Sequence, residues 1–308
     1  MATQCTHAKL ILIGEHSAVY GQPAIALPFR AVETCAVFEP LPGALRIESS
    51  LYSGPLRGAP AALAGVAACA EETLACVGGT MRDVCLRISS TIPPGCGLGS
   101  SAAVAAGVVR AAYALVGRRP RREELLSLVM LAERQAHGKP SGLDAAAVLS
   151  TRPLWFRASK GRGLHVAGPV HFVVAHTGVL ATTRAAVEAV RRLRTRQPQK
   201  TDRTLGRLGE LAYAARGALA SGDAQALGRA VDAAQVELER LEVSSPQIER
   251  LIAEARGGGA MGAKLTGGGR GGCILAVARD APHAISLAAA LRAAGATRTW
   301  TLCVGEGA

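Results

Sequence analysis

Lys9 opens an otherwise aliphatic run, Lys9-Leu10-Ile11-Leu12-Ile13, and Gly14-Glu15-His16-Ser17 follows at once. A cation in an apolar strand has to be neutralised, so Lys9 calls for a carboxylate or phosphate partner. The second chemical cluster is Pro93-Pro94-Gly95-Cys96-Gly97-Leu98-Gly99-Ser100-Ser101-Ala102-Ala103. Its alternating glycines can present N–H groups to a bulky anion, and a helix after them adds its own unpaired N–H groups and the positive end of its dipole. Residues 94–102 are therefore a candidate phosphate cradle. The segment lacks the G-x-x-x-x-G-K-[ST] spacing. Gly97-x-Gly99-x-x-Ala102 fits a relaxed dinucleotide fingerprint, but two prolines part it from any strand, and arginines at 118–122 stand where an acidic ribose ligand belongs. A tight turn before a helix would have the same composition.

Three further features carry chemistry. Glu133 and His137 are four apart on a helical pattern and share a face, as metal ligands or a surface pair would. Asp144, in Ser141-Gly142-Leu143-Asp144, is either a helix cap or a placed carboxylate. Residues 262–273, GAKLTGGGRGGC, form a second glycine loop entering a strand, and so many glycines favour close approach to a ligand or another loop.

The elements that must position these residues read as a mixture of strands and helices. Strands are expected at 9–13, 84–88, 170–175, 274–277 and 299–304, with strands and loops between Pro40 and Pro60. Helices are expected at 61–77, 102–116, 123–137, 183–196, 204–220, 224–241, 246–255 and 281–293, with Ser245 as cap and Pro246 at the first helical position of the seventh. The absence of regular βαβ spacing points to an α+β (mixed α/β) protein in two domains, 1–168 and 169–308.

Composition bounds the partners. A formal charge of +12 favours anions, but the arginine clusters at 118–122 and 191–196 have no interleaved aromatics to stack on bases, so nucleic acid is not expected as a partner. The eight cysteines include no C-x-x-C pair and no short-spaced Cys/His cluster, and they read as small buried residues in a reducing compartment. The N-terminus lacks a signal pattern and no apolar run reaches the ~20 residues of a membrane span, so the expected location is cytoplasmic and no membrane partner is expected.

With these motifs in order along the chain, Lys9…Gly14-Glu15-His16-Ser17-Ala18-Val19-Tyr20-Gly21, Pro93…Ser101-Ala102-Ala103 and Lys264-Leu265-Thr266-Gly267…Gly272-Cys273, the sequence resembles the GHMP kinase superfamily. The Gly-Glu-His opening and Glu133…His137-Gly138-Lys139-Pro140-Ser141-Gly142-Leu143-Asp144 are similar to the mevalonate kinase family within it. The resemblance implies a ribosomal-protein-like N-terminal domain, a ferredoxin-like C-terminal domain, and phosphorylation of mevalonate by Mg-ATP. It implies that Pro94, Gly95, Cys96, Gly97, Leu98, Gly99, Ser100, Ser101 and Ala102 wrap the ATP phosphates, and that Ser101 and Glu133 hold Mg²⁺. Asp144 and Lys9 would be catalytic, and Lys9, Glu15, His16, Ser17, Asp144 and Thr183 would contact mevalonate. Arg270 stands where many relatives have glycine, facing either a phosphate or solvent. A homodimer is one assembly left open.

Overall fold

The computed structural model describes residues 2–138 and 140–305, His137 as backbone only, and it resolves into two compact units. One comprises Met1–Lys9, Val32–Pro93 and Gly99–Leu149; the other comprises Leu10–Ala31, Pro94–Leu98 and Ser150–Ala308. The single cut at 168/169 thus becomes an interleaving. Its cause is two long strands, β1 (Gln4–Ile13) and β2 (Ala24–Ala44), which pair with each other and whose ends belong to different units.

In the first unit β2 is followed by β3 (Arg46–Glu48), β4 (Ser53–Pro55), helix α1 (Ala64–Val77), β5 (Arg82–Ser90) and helices α2 (Ser100–Leu115), α3 (Arg122–His137) and α4 (Leu143–Val148). β5 runs antiparallel to residues 34–40 of β2 and parallel to β3, which pairs antiparallel with β4. The sequence reading finds no continuous strand across residues 24–44, only strands and loops from Pro40 onward. Pro40 is the reason: it lies where the β2–β5 register shifts, a place where a strand tolerates proline. Phe38, Ile47, Leu74, Leu86 and Val108 join sheet and helices in one aliphatic core. The helices are rich in Ala and Gly because they pack closely; a β-carbon at Gly65 of α1 would lie 2.8 Å from the Ala132 carbonyl of α3.

In the second unit the start of β2 pairs with β6 (Leu154–Arg157), which pairs with β7 (Lys160–Gly163). There follow β8 (Val170–His176), α5 (Thr183–Arg196), α6 (Pro198–Ser221), α7 (Ala224–Arg240), α8 (Pro246–Gly257), β9 (Gly262–Thr266), β10 (Cys273–Ala278), α9 (Ala281–Ala293) and β11 (Arg298–Val304). The last four strands form an antiparallel sheet in the order β11-β8-β10-β9. This is the ferredoxin-like arrangement, with four helices in its first crossover. β9 and β10 are buried along their whole length, so they read as continuous apolar runs interrupted only by Lys264 and Thr266. Ser245 caps α8, with Pro246 opening it.

One sequence expectation is overturned outright. Cys5 and Cys35 form a disulfide, Cys76 is exposed, and Cys303 is half-buried, so the cysteines are not uniformly small buried residues. Pairing of β1 with β2 brings together residues 30 apart in sequence, which a search for short spacings cannot see. Among the described residues no helix is long and apolar enough to cross a membrane.

Candidate active site

In the first unit, four predicted side chains converge. The Lys9 side chain is 2% exposed and its ammonium lies 3.0 Å from Oδ1 of Asp144, whose side chain is 30% exposed. The buried cation thus has its carboxylate, and that carboxylate still faces outward. Asp144 is the second residue of α4; the N-cap is Gly142, so Asp144 does not cap the helix. Glu133 follows Leu125, Val129 and Ala132 along the buried stripe of α3, so the helical period itself carries a carboxylate into the interior. Burial, and then the charge of Asp144, push the Glu133 carboxyl up to about 7, against a hydrogen bond with Ser101 and the field of Lys9. The Glu133 carboxylate and the Ser101 hydroxyl are hard oxygen donors, and a divalent cation beside them would offset the burial and the repulsion that raise Glu133. The set fits Mg²⁺.

The candidate phosphate cradle ends in the same unit. Gly99, at φ 75, is the N-cap of α2, and no side chain caps that helix. Its first-turn N–H groups are thereby open to an anion. A β-carbon at Gly99 would lie 2.8 Å from Cγ of Lys9, so glycine lets the loop lie along the lysine stem. Ala102 is fully buried, while Ser100 and Ser101 are half-exposed.

The second unit holds the remaining predicted residues. Gly95 and Gly97 have φ 63 and 76, and Gly97 packs against the backbone of the second glycine loop: a β-carbon there would lie 3.1 Å from Cα of Gly267. Pro94 and Gly95 are exposed, whereas Leu98 and Cys96 are buried, and Cys96 hydrogen-bonds with Cys273. Leu98, Cys96 and Ala102 can therefore offer a phosphate only their backbone.

Glu15, His16 and Ser17 lie in a turn that enters a short 3₁₀ segment, Ser17–Tyr20. Glu15 is 1% exposed and ion-paired with fully buried Lys264. His16 Nε2 lies 3.0 Å from the Gly268 carbonyl, and burial lowers the ring's pKa to about 4. A carbonyl only accepts, so Nε2 carries the proton and Nδ1 is an acceptor. Thr183, the first residue of α5, also lies against Gly268: a β-carbon on that glycine would lie 3.1 Å from Cα of Thr183.

Sequence reasoning assigned no role to Lys264, although its signal is the one that singled out Lys9, a cation within an apolar strand. It also left Arg270 undecided. Arg270 adopts φ 61 and donates through Nε and Nη2 to the Glu242 carbonyl, which turns its guanidinium toward the α7–α8 connection. Lys139 and the His137 side chain lie outside the described residues, so a shared face of Glu133 and His137 is not part of the site described.

Fold and site together define a class. The families described as GHMP kinases N terminal domain and GHMP kinases C terminal match residues 62–152 and 215–297, and the chain belongs to the GHMP kinase family. Within that family its near relatives are mevalonate kinases. The mevalonate kinase of Aeropyrum pernix is 34% identical over 285 residues, 88% of this chain and 87% of the relative. The crystal structure of L. major mevalonate kinase in complex with R-mevalonate matches with a TM-score of 0.84 at 25% identity, covering 100% of this chain and 97% of the other. A phosphomevalonate kinase from Streptococcus pneumoniae matches with a TM-score of 0.83 at 20% identity, covering 98% and 100%, a likeness of fold alone.

Proposed function

We propose that this chain phosphorylates mevalonate with ATP, giving mevalonate 5-phosphate and ADP. The observation that carries the reading is the buried Lys9 paired with a partly exposed Asp144, beside a Glu133 carboxyl that burial, and then the charge of Asp144, push up. Asp144 receives or orients the proton of the attacking hydroxyl, and Lys9 compensates the negative charge that develops on that oxygen. The N–H groups of the 94–102 loop and of the first turn of α2 hold the phosphates. Ser101 and Glu133 hold Mg²⁺, which supplies charge neutralisation on the phosphates. Glu15, His16, Ser17 and Thr183 form the mevalonate side of the site.

A coupled assay of ADP release tests this across mevalonate, phosphomevalonate, homoserine and galactose. Mevalonate should be favoured at least ~100-fold in kcat/KM, about 3 kcal/mol in transition-state binding. Equal or better turnover of phosphomevalonate would sink the substrate assignment and leave the family membership intact.

A further inference from the structure

The Lys264–Glu15 ion pair anchors the Gly14–Tyr20 turn, and its lysine has no part in the function proposed above. Lys264 is 0% exposed and Glu15 1%; the ammonium also donates to the Leu265 carbonyl at 2.5 Å. Taking two charges out of water costs several kcal/mol per ion, and apolar residues of like volume often do as well for stability. A stabilising role is therefore a poor account of the pair.

Its neighbours give a better one. Thr266, two residues along β9, accepts from the Ile11 N–H at 3.0 Å and donates to the Ile11 carbonyl at 2.9 Å. His16 bonds to the Gly268 carbonyl, and β9 itself is fixed by Gln235 Oε1, which accepts from the Leu265 N–H at 2.9 Å. β9 and its glycine loop thus grip the segment 11–16 at three successive points, Ile11, Glu15 and His16. At the last of these points His16 adopts φ 59 and ψ −43, a conformation that a residue with a β-carbon adopts only under constraint. In the same turn His16 Nδ1 and Ser17 Oγ are buried without a hydrogen-bond partner among the described residues. Buried polar atoms without partners are costly in a finished core and ordinary where a ligand completes them.

We propose that Lys264 is a positioning residue: through Glu15 it holds the 14–17 turn in its constrained form, so that His16 Nδ1 and Ser17 Oγ stay aimed at a hydroxyl-bearing acceptor substrate. The inference rests on the reading of this turn as the acceptor side of the site. Its consequence is a separation of effects. Loosening the dyad harms recognition of the acceptor and spares the nucleotide, whose phosphate loop is held by other contacts.

The test compares purified wild type, Lys264→Met and Lys264→Arg in the full chain, below their melting temperatures. Lys264→Met should raise KM for mevalonate roughly 10-fold or more and leave KM for ATP within about 2-fold, and Lys264→Arg should recover part of the loss. Nitrogen-15 spectra of the imidazoles supply a readout that stability alone does not move. Wild-type His16 should show a single Nε2–H tautomer, and Lys264→Met a mixture or the opposite tautomer. Lower melting temperature with unchanged KM and unchanged tautomer would overturn the proposal, as would equal losses for both substrates. Should Lys264→Met fail to fold, Lys264→Met/Glu15→Gln leaves no uncompensated charge, and its His16 spectrum is read in the same way: a changed tautomer supports the proposal and the wild-type tautomer overturns it. A wild-type protein inactive on mevalonate refutes the functional reading, and the tautomer comparison still decides the fate of the dyad.

Discussion

Asp144 and Glu133 are both carboxylates of the first unit, yet their surroundings differ, and the roles proposed for them differ accordingly. Asp144 is partly exposed and paired with buried Lys9, so Asp144→Asn should leave nucleotide affinity near wild type while turnover falls roughly 10²–10⁴-fold, and the melting temperature should drop because Lys9 loses its anion. Near-normal turnover would remove its catalytic role. Glu133 is buried and held near 7, so Glu133→Gln should weaken Mg-ATP binding, with partial recovery at high Mg²⁺. The same variant has a pH signature. In the folded state Glu133 titrates above its usual 4.5, so its contribution to stability declines as pH rises from 4.5 to 7. His16 titrates below its usual 6.5, at about 4, so its contribution is present above 6.5 and is lost as pH falls toward 4. Between 4.5 and 6.5 the two oppose one another. Removing Glu133 leaves the His16 loss uncompensated, about 2 kcal/mol over that window, and the melting temperature of Glu133→Gln should fall roughly 5 °C more than that of wild type on acidification. Equal pH slopes in metal-free buffer would refute this.

At the scale of elements, β1 and α2 set the geometry of the site. The Cys5–Cys35 disulfide ties β1 to β2 across a loop that contains Lys9 and the 14–17 turn. Chain-entropy reasoning gives a loop of 30 residues about 3–4 kcal/mol, so dithiothreitol or Cys5→Ser/Cys35→Ser should lower the melting temperature by roughly 5–10 °C. An unchanged melting temperature on full reduction would show that the bond adds nothing to folding. Gly99 is the sharper probe of α2. An alanine there meets the Lys9 stem and must adopt φ 75, so Gly99→Ala should displace Lys9 from Asp144 and lower kcat by at least ~10-fold, whereas Gly117→Ala, with open space around its β-carbon, should leave kcat unchanged. Helices such as Thr183–Arg196 and Pro246–Gly257 were legible because caps and periodicity are local signals. β2 was not, because its proline-bearing end is stabilised by pairing with β5, where Pro40 faces Val84 and Ala44 faces Arg82 across a long stretch of intervening chain.

Over the whole molecule, the excess of basic residues is a surface property. Arg191 and Arg192 share Glu188, Arg194 pairs with Asp202 and lies 4.9 Å from the Tyr20 ring centroid, and Arg118 stands 5.6 Å from that of Tyr113. These arginines are occupied within the fold, so polarisation titrations near physiological salt should give no duplex or single-strand binding tighter than about micromolar, and what binds should fade steeply with salt. Sequence-selective nanomolar affinity would overturn that expectation. The sequence by itself determined the family, most helices, and the demand that Lys9 find an anion, because each follows from residue type and short-range spacing. Tertiary structure alone decided that the anion is Asp144, that Glu133 is perturbed by burial and then by its neighbour, that Cys5 meets Cys35, and that Lys264 grips Glu15. The disulfide joins residues 30 positions apart and the Lys264–Glu15 pair residues 249 apart, and only the packing of strands and helices around a common core brings such partners within reach.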